Sequence, residues 1–180
     1  MRFFIVLSLF SFMTLSMSLV TNDQMPDFQK KIHKMAGKQW KDLTFKIKKP
    51  ALPEQIERTL TGRQVYTVTS PDSLLGIMMI NKALGCHIGG CDTPGNSSGD
   101  MLDSSFEKFY YAVIFDTNLV IRRIKVLQYE SDFGYEICGK RWLRQFVGYK
   151  GCELEFNHHI DGISGATVSA QSITSDINNL

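Results

Sequence analysis

Apolar positions recur along this chain with two different periods, and the changes of period divide it into elements. Between Pro26 and Ala36, Phe28, Ile32 and Met35 recur at helical spacing. That segment is predicted as a helix, with Pro26 near its first position and Gly37 as its stop. Pro53 to Leu60 reads as a second helix, ended by Gly62. Gln64–Thr69 and Leu74–Asn81 flank the turn-forming run Ser70-Pro71-Asp72-Ser73 and are predicted as a hairpin. Phe106–Phe115 and Leu119–Gln128 are the clearest strands, joined by Asp116-Thr117-Asn118. Tyr110, Ala112 and Ile114 on the first, and Val120, Ile124 and Val126 on the second, mark a half-buried face on each. Arg141–Gly148 is predicted as a helix through Trp142, Leu143, Phe146 and Val147. A closing helix follows Thr167, with Val168, Ile173 and Ile177 on or near one face. Leu84–Ser105 is crowded with turn residues, among them Gly89, Gly90, Pro94 and Gly95, and is predicted as a long loop.

Helices, antiparallel hairpins, a helix and a closing helix make an α+β order. The alternating β-α series of a doubly wound fold is absent, and no Gly-x-Gly-x-x-Gly follows a strand, so a Rossmann dinucleotide site is excluded.

The first residues change the picture of where the protein works. Met1-Arg2, an apolar run from Phe3, and the small-x-small sequence Ser16-Met17-Ser18 read as a secretory signal peptide over residues 1–20. The alternative is a retained N-terminal anchor, because the run reaches Val20. No cysteine stands at the cleavage site, so a lipid anchor there is unsupported. Residues 21–62 then form an N-terminal helical segment, and 63–180 the principal domain. Hydrophobic residues at 43% and charged residues at 21% are ordinary for one globular domain. A net charge of +2 is too small to argue for nucleic acid. Eight lysines nevertheless crowd between Lys30 and Lys49. They form either a solvated helix face or a contact with an anionic membrane surface.

Export makes disulfides permissible, and Cys86, Cys91, Cys138 and Cys152 allow three pairings. Cys86 and Cys91 bracket a glycine-rich loop short enough to staple. A competing arrangement is a metal site of Cys86, His87 and Cys91 with His158 or His159. The absence of a second Cys-x-x-Cys or a His-x-x-x-His argues against it, and no metal is expected. No Cys-x-x-Cys-His occurs, so covalent haem is not expected. His158-His159 offers a general base, but no nucleophile elbow or His-Glu-x-x-His accompanies it, and no catalytic residue is assigned.

Asp161-Gly162-Ile163-Ser164-Gly165-Ala166-Thr167 carries the most specific chemistry. Ser164 is expected as the N-cap of the closing helix, with Thr167 in its first turn. Free N–H groups and the positive end of the helix dipole suit a phosphate there, and Gly165 and Ala166 let a bulky ester approach. An ordinary loop-to-helix cap with no ligand uses the same residues.

The motif resembles the flavinylation motif of FMN-binding domains. These include the covalent-flavin subunits of sodium-pumping NADH:quinone oxidoreductase and related membrane redox complexes. Asp161, Ile163, Ser164, Gly165, Ala166, Thr167 and Ser169 all fit that pattern. Tyr129–Ile137, with Trp142 and Gln145-Phe146-Val147-Gly148, is similar to a second family segment, Glu-Thr-Pro-Gly-x-Gly followed by a short helix ending Gln-Phe-x-Gly. Ser131-Asp132-Phe133 replaces its Thr-Pro-Gly. The resemblance is strongest from Phe106 onward. It implies an FMN-binding-domain-like fold over 63–180, a small twisted antiparallel sheet with packed helices. It implies FMN joined by a phosphoester to Thr167. A magnesium-dependent flavin transferase would make that bond, reading Asp161, Gly162, Ser164, Gly165 and Ala166. Tyr135 becomes a candidate to stack on the flavin, with Trp142 a core or rim aromatic. The expected function is an exported, periplasmic or cell-surface electron carrier. It would relay electrons between a membrane-associated donor and a redox partner. A non-redox exported binding module on the same fold, and a flavin-dependent reductase of a small acceptor, are the alternatives.

Overall fold

The computed structural model describes residues 25–60, 62–87, 106–150 and 154–180. The expected leader, Cys91, Cys152 and the larger part of the expected long loop lie outside the described residues.

Five strands form one antiparallel sheet in the order β1 (Lys46–Lys48), β2 (Gln64–Thr69), β3 (Leu74–His87), β4 (Phe106–Phe115) and β5 (Ile121–Gln128). Each strand lies beside its neighbour in sequence, and short turns join β2 to β3 and β4 to β5. In the β4–β5 turn the Asp116 carboxylate accepts the N–H groups of Asn118 and Val120, both at 2.9 Å. The helices are α1 (Gln29–Gln39), α2 (Glu54–Thr59), α3 (Lys140–Leu143, extended by a 3-10 turn over Arg144–Phe146) and α4 (Thr167–Asn178). A further 3-10 turn covers Tyr135–Cys138. The α+β order is therefore present, as an antiparallel sheet with helices on it.

β4 is covered on both sides. Its Ala112 and Ile114 pack with Val68, Met78 and Ile80 against Phe28, Ile32, Met35 and Ala36 of the α1 region. Its Phe109, Tyr111 and Val113 pack against Trp142, Leu143 and Phe146 and against Ala170, Ile173 and Ile177 of α4. The half-buried face expected from Tyr110, Ala112 and Ile114 is thus corrected to a strand buried on both. The tyrosines at 110 and 111 blur the alternation, because an aromatic ring serves either face.

Three boundaries differ from expectation. The Asp27 side chain accepts the Gln29 N–H at 2.9 Å, and α1 starts there, three residues after Pro26. Gly37 lies inside α1 rather than after it; a Cβ there would meet Phe45 at 3.9 Å, an ordinary contact. β3 runs to His87, so residues 84–87 of the expected loop are strand. The segment 21–62 also contributes more than helices, since β1 pairs with β2 at the edge of the sheet.

One polar network ties the N-terminal half to α4. Tyr111 donates to Asp176 Oδ2 at 2.5 Å, and Arg63 pairs with Asp176 Oδ1 at 2.6 Å. Arg63 and Asp176 are each only 19% exposed, so solvent screens the pair weakly. Burial, and then the Asp176 carboxylate, push the Tyr111 hydroxyl well above the usual 10.0. The folded protein therefore keeps this proton at a pH where the unfolded chain loses it. The unfolded state then binds fewer protons, so stability falls as pH rises past the unfolded value. Unfolding in urea at about pH 9.5 and about pH 11 should show a steeper loss for the wild type than for Tyr111→Phe. The difference should approach about 1.4 kcal/mol per pH unit. Equal slopes would contradict the buried, protonated hydroxyl. At neutral pH Tyr111→Phe should cost about 1.5–3 kcal/mol, because the lost acceptor is a carboxylate.

Candidate functional site at the start of the last helix

Ile163, Ser164, Gly165 and Ala166 form a β-turn closed by the Ala166 N–H on Ile163 O at 3.0 Å. Gly165 has φ +81°, the left-handed value that the third residue of a type II turn requires. This turn corrects the expected cap. Ser164 is consumed as a turn residue and exposed, Ala166 takes the N-cap position, and Thr167 is the first residue of α4. Among the described residues no side chain caps the helix, and no acidic residue lies in its first turn. The N–H groups of Thr167, Val168 and Ser169 therefore point from a helix start with no intrahelical acceptor. Thr167 is half-buried, and its Oγ1 stands 3.5 Å from Ile163 O, a weak contact. The buried stripe of α4 is Ser169, Ala170, Ile173, Thr174 and Ile177, with Val168 only half-buried.

The loop after β5 closes on this helix start. Gly134 has φ +75°, and a Cβ there would fall 2.6 Å from the Tyr129 hydroxyl, 3.1 Å from Cys86 Sγ and 3.2 Å from Ala166 Cβ. Gly134 and Ala166 are thus small because they face each other. The Tyr129 hydroxyl donates to Phe133 O at 2.5 Å and lies 3.2 Å from Ser169 Oγ. Burial raises this hydroxyl above its usual 10.0, against the opposing pull of the Ser169 and Ser131 hydroxyls. Cys86, at the end of β3, sits 3.7 Å from both Gly165 O and Ser169 Oγ. It is disulfide-bonded, so its sulfur has no proton to donate and can only accept from Ser169. On either side of Gly134, Phe133 and Tyr135 are 47% and 66% exposed, a pair of open aromatic faces beside the helix start.

Asp161 is fixed by its backbone. The Trp142 indole N–H donates to Asp161 O at 2.8 Å, and Gln145 Oε1 accepts the Asp161 N–H at 2.8 Å. The residue itself is exposed. Trp142 is buried against Phe146, ring centroids 5.2 Å apart, and is a core aromatic. A Cβ at Gly162 would fall 2.5 Å from Asn157 Oδ1, so a side chain there must displace the Asn157 side chain. The structure therefore gathers both stretches singled out in the sequence, the loop around Gly134 and the run 161–167, at one place. Sequence reasoning missed Cys86, Tyr129, Ser169 and Gln145 as its partners. Gln145 had a signal in Gln145-Phe146-Val147-Gly148, Tyr129 in the segment Tyr129–Ile137 and Ser169 in the motif pattern; Cys86 had none that placed it here.

The thiol-based metal set is corrected: a disulfide-bonded Cys86 offers no thiolate. The two histidines gather with Glu155 instead, their ligating atoms within 4.8 Å of one another on the surface. His159 Nδ1 accepts the Glu155 N–H at 3.0 Å. Cys138 is a free thiol whose pKa burial raises above 9.0, so it is a poor nucleophile at neutral pH.

No protein-family model matches this chain, and no curated protein matches its sequence. Among the described residues, no helix is long and apolar enough to cross a membrane.

The two glycines separate backbone strain from contact. Gly165 has open space where a Cβ would go, so Gly165→Ala should cost only the left-handed penalty of about 1–2 kcal/mol. Gly134→Ala bears that penalty and must also displace the Tyr129 hydroxyl. Thermal unfolding should show a clearly larger fall for Gly134→Ala, and equal falls would contradict the packing described.

Proposed function

We propose that this chain is an exported electron-transfer flavoprotein of the FMN-binding-domain type, carrying FMN through a phosphoester to Thr167. The observation that carries the reading is an uncapped twelve-residue helix whose first residue is a loosely held threonine. Three further features support it: the left-handed Gly165, the facing Gly134, and the exposed rings of Phe133 and Tyr135.

The residues present fit the group. A phosphate at Oγ1 of Thr167 would meet the free N–H groups of the first helical turn and the positive end of the dipole. Gly165 leaves space beside it, and the exposed rings offer apolar surface to an isoalloxazine. Exposed Asp161, with its backbone clamped by Trp142 and Gln145, is presented to the transferase together with Gly162 and Ser164. Bound FMN supplies one- and two-electron chemistry. The protein's part is to position the group and leave it open to a docked partner. Outside the cell free FMN is scarce, and a reversible site empties when ligand falls below its dissociation constant. A covalent link removes that loss without a deep pocket. The apolar leader supports export, and with it a membrane-associated donor and a second redox protein as partners.

Co-expression with a flavin transferase tests the proposal. The wild type should gain the mass of one FMN less one water, and give a fluorescent band in a denaturing gel. Thr167→Val should unfold at nearly the wild-type temperature, because Oγ1 makes one weak contact, and give no band. A band retained by Thr167→Val rejects Thr167 as the attachment residue. Colourless wild type from transferase-competent cells rejects covalent flavin and leaves a non-redox binding module.

A further inference from the structure

β5 ends the sheet, and among the described residues it pairs with β4 alone. Among the described residues, backbone closes its outer side at its first residue, where Ile121 exchanges hydrogen bonds with Gly148 N–H and Tyr149 O, both at 2.8 Å. Beyond Ile121 the strand borders a groove of about 760 Å³. A sheet face contributes alternate residues to a surface. Here nine consecutive residues, Arg122 to Glu130, line the groove. The groove therefore runs along the strand's edge, where the backbone itself is presented. α1 makes one wall with Lys31, Met35 and Lys38; α3 and its extension make the other with Lys140, Leu143 and Arg144.

The walls are strongly one-signed. Eight lysine and arginine side chains line the groove against one carboxylate, Glu130. Arg122 alone among β5's cations has a carboxylate in ion-pair range, Asp116 at 3.9 Å. Partial burial, then the charges of Lys38, Lys34, Lys31 and Lys140, lower the pKa of Lys125. These cations converge from α1, β5 and α3, which are far apart in sequence. One edge carbonyl, Leu127 O, is held by the Lys31 ammonium at 2.6 Å, a contact that an incoming strand's N–H can replace.

We propose that this edge docks an extended, acidic segment of a partner protein as a sixth strand beside β5. Main-chain hydrogen bonds along Arg122–Gln128 supply affinity, and carboxylates at adjacent positions of the segment point to opposite faces, one toward the cations of each wall. A flat lipid surface touches the lysine tips but does not reach the backbone at the bottom of a trough. The far end of the groove includes Tyr129 and Tyr135, which belong to the loop packed on the start of α4. A docked partner therefore lies alongside the candidate cofactor site, but the docking does not depend on what Thr167 carries.

The test uses the purified protein and a blocked peptide of two Val-Glu-Glu-Val repeats, which carries carboxylates on both faces of an extended strand. Binding is followed by amide NMR, and protection by hydrogen exchange. The peptide should bind, shift the amides of residues 122–130 and slow exchange along β5. The same peptide N-methylated at every residue, which has no N–H on either edge for a ladder, should bind at least about tenfold more weakly. Lys125→Glu and Lys140→Glu, on exposed residues of the edge and of the far wall, should each weaken binding about tenfold. Their thermal unfolding reports that the fold is kept. Equal binding of the N-methylated peptide overturns the proposal in favour of simple anion attraction. Binding to phosphatidylglycerol vesicles without binding to the peptide overturns it in favour of a membrane. Binding to neither overturns it too, and leaves the lysines as a guard against edge-to-edge self-association.

Discussion

Burial of β4 on both faces is the constraint from which the rest of the architecture follows. Phe109, Tyr111 and Val113 need one cover, and Ala112 and Ile114 need another. α1 supplies the second, and α3 with α4 supplies the first. The fully buried rings of Phe109 and Tyr111 lie on the α4 side, while on the α1 side Ala112 and Ile114 are joined by the half-buried ring of Tyr110, so the layers are not interchangeable. Burying side chains of this size stabilises by about 1.5–3 kcal/mol each, which is enough to fix the helices against the sheet.

The position of the candidate site is a consequence. α4 lies over β3, where Ser172 Oγ accepts the Leu84 N–H at 2.9 Å and Ser169 meets Cys86. That seats the first turn of α4 at the end of β3, opposite the loop that leaves β5. Close approach there demands small residues, and Gly134 and Ala166 answer each other. An alanine at the N-cap costs about 1 kcal/mol relative to serine or aspartate. Ala166 is fully buried beside Gly134, and the same choice provides no side-chain cap for the first-turn N–H groups. A structural demand and a phosphate-binding geometry thus coincide in one residue.

The basic trough has the same origin. Two helices on opposite faces both reach the edge strand β5, so their lysines and arginines converge on a line that neither helix defines alone. A sheet edge with lysines beside it resists pairing with another copy of itself, and the like charges that do so also select what can pair there.

The sequence by itself determined the α+β class, the two hairpins, the apolar stripe of α1 and the position of Thr167 at the last helix. Each is written in local periodicity or turn chemistry, which acts over a few residues. It did not determine that Gly37 stays inside α1, because a glycine ends a helix only when the chain beyond it has no better packing. It misplaced the cap at Ser164, because turn closure by Gly165 competes with capping and the outcome depends on where Ala166 is held. The clamp on Asp161 by Trp142 and Gln145, the seat of Cys86 beneath Gly165, and the meeting of Lys31, Lys125 and Lys140 at one edge were decided by tertiary structure alone. Those contacts join residues tens of positions apart, and only the layering imposed by β4 brings them within reach.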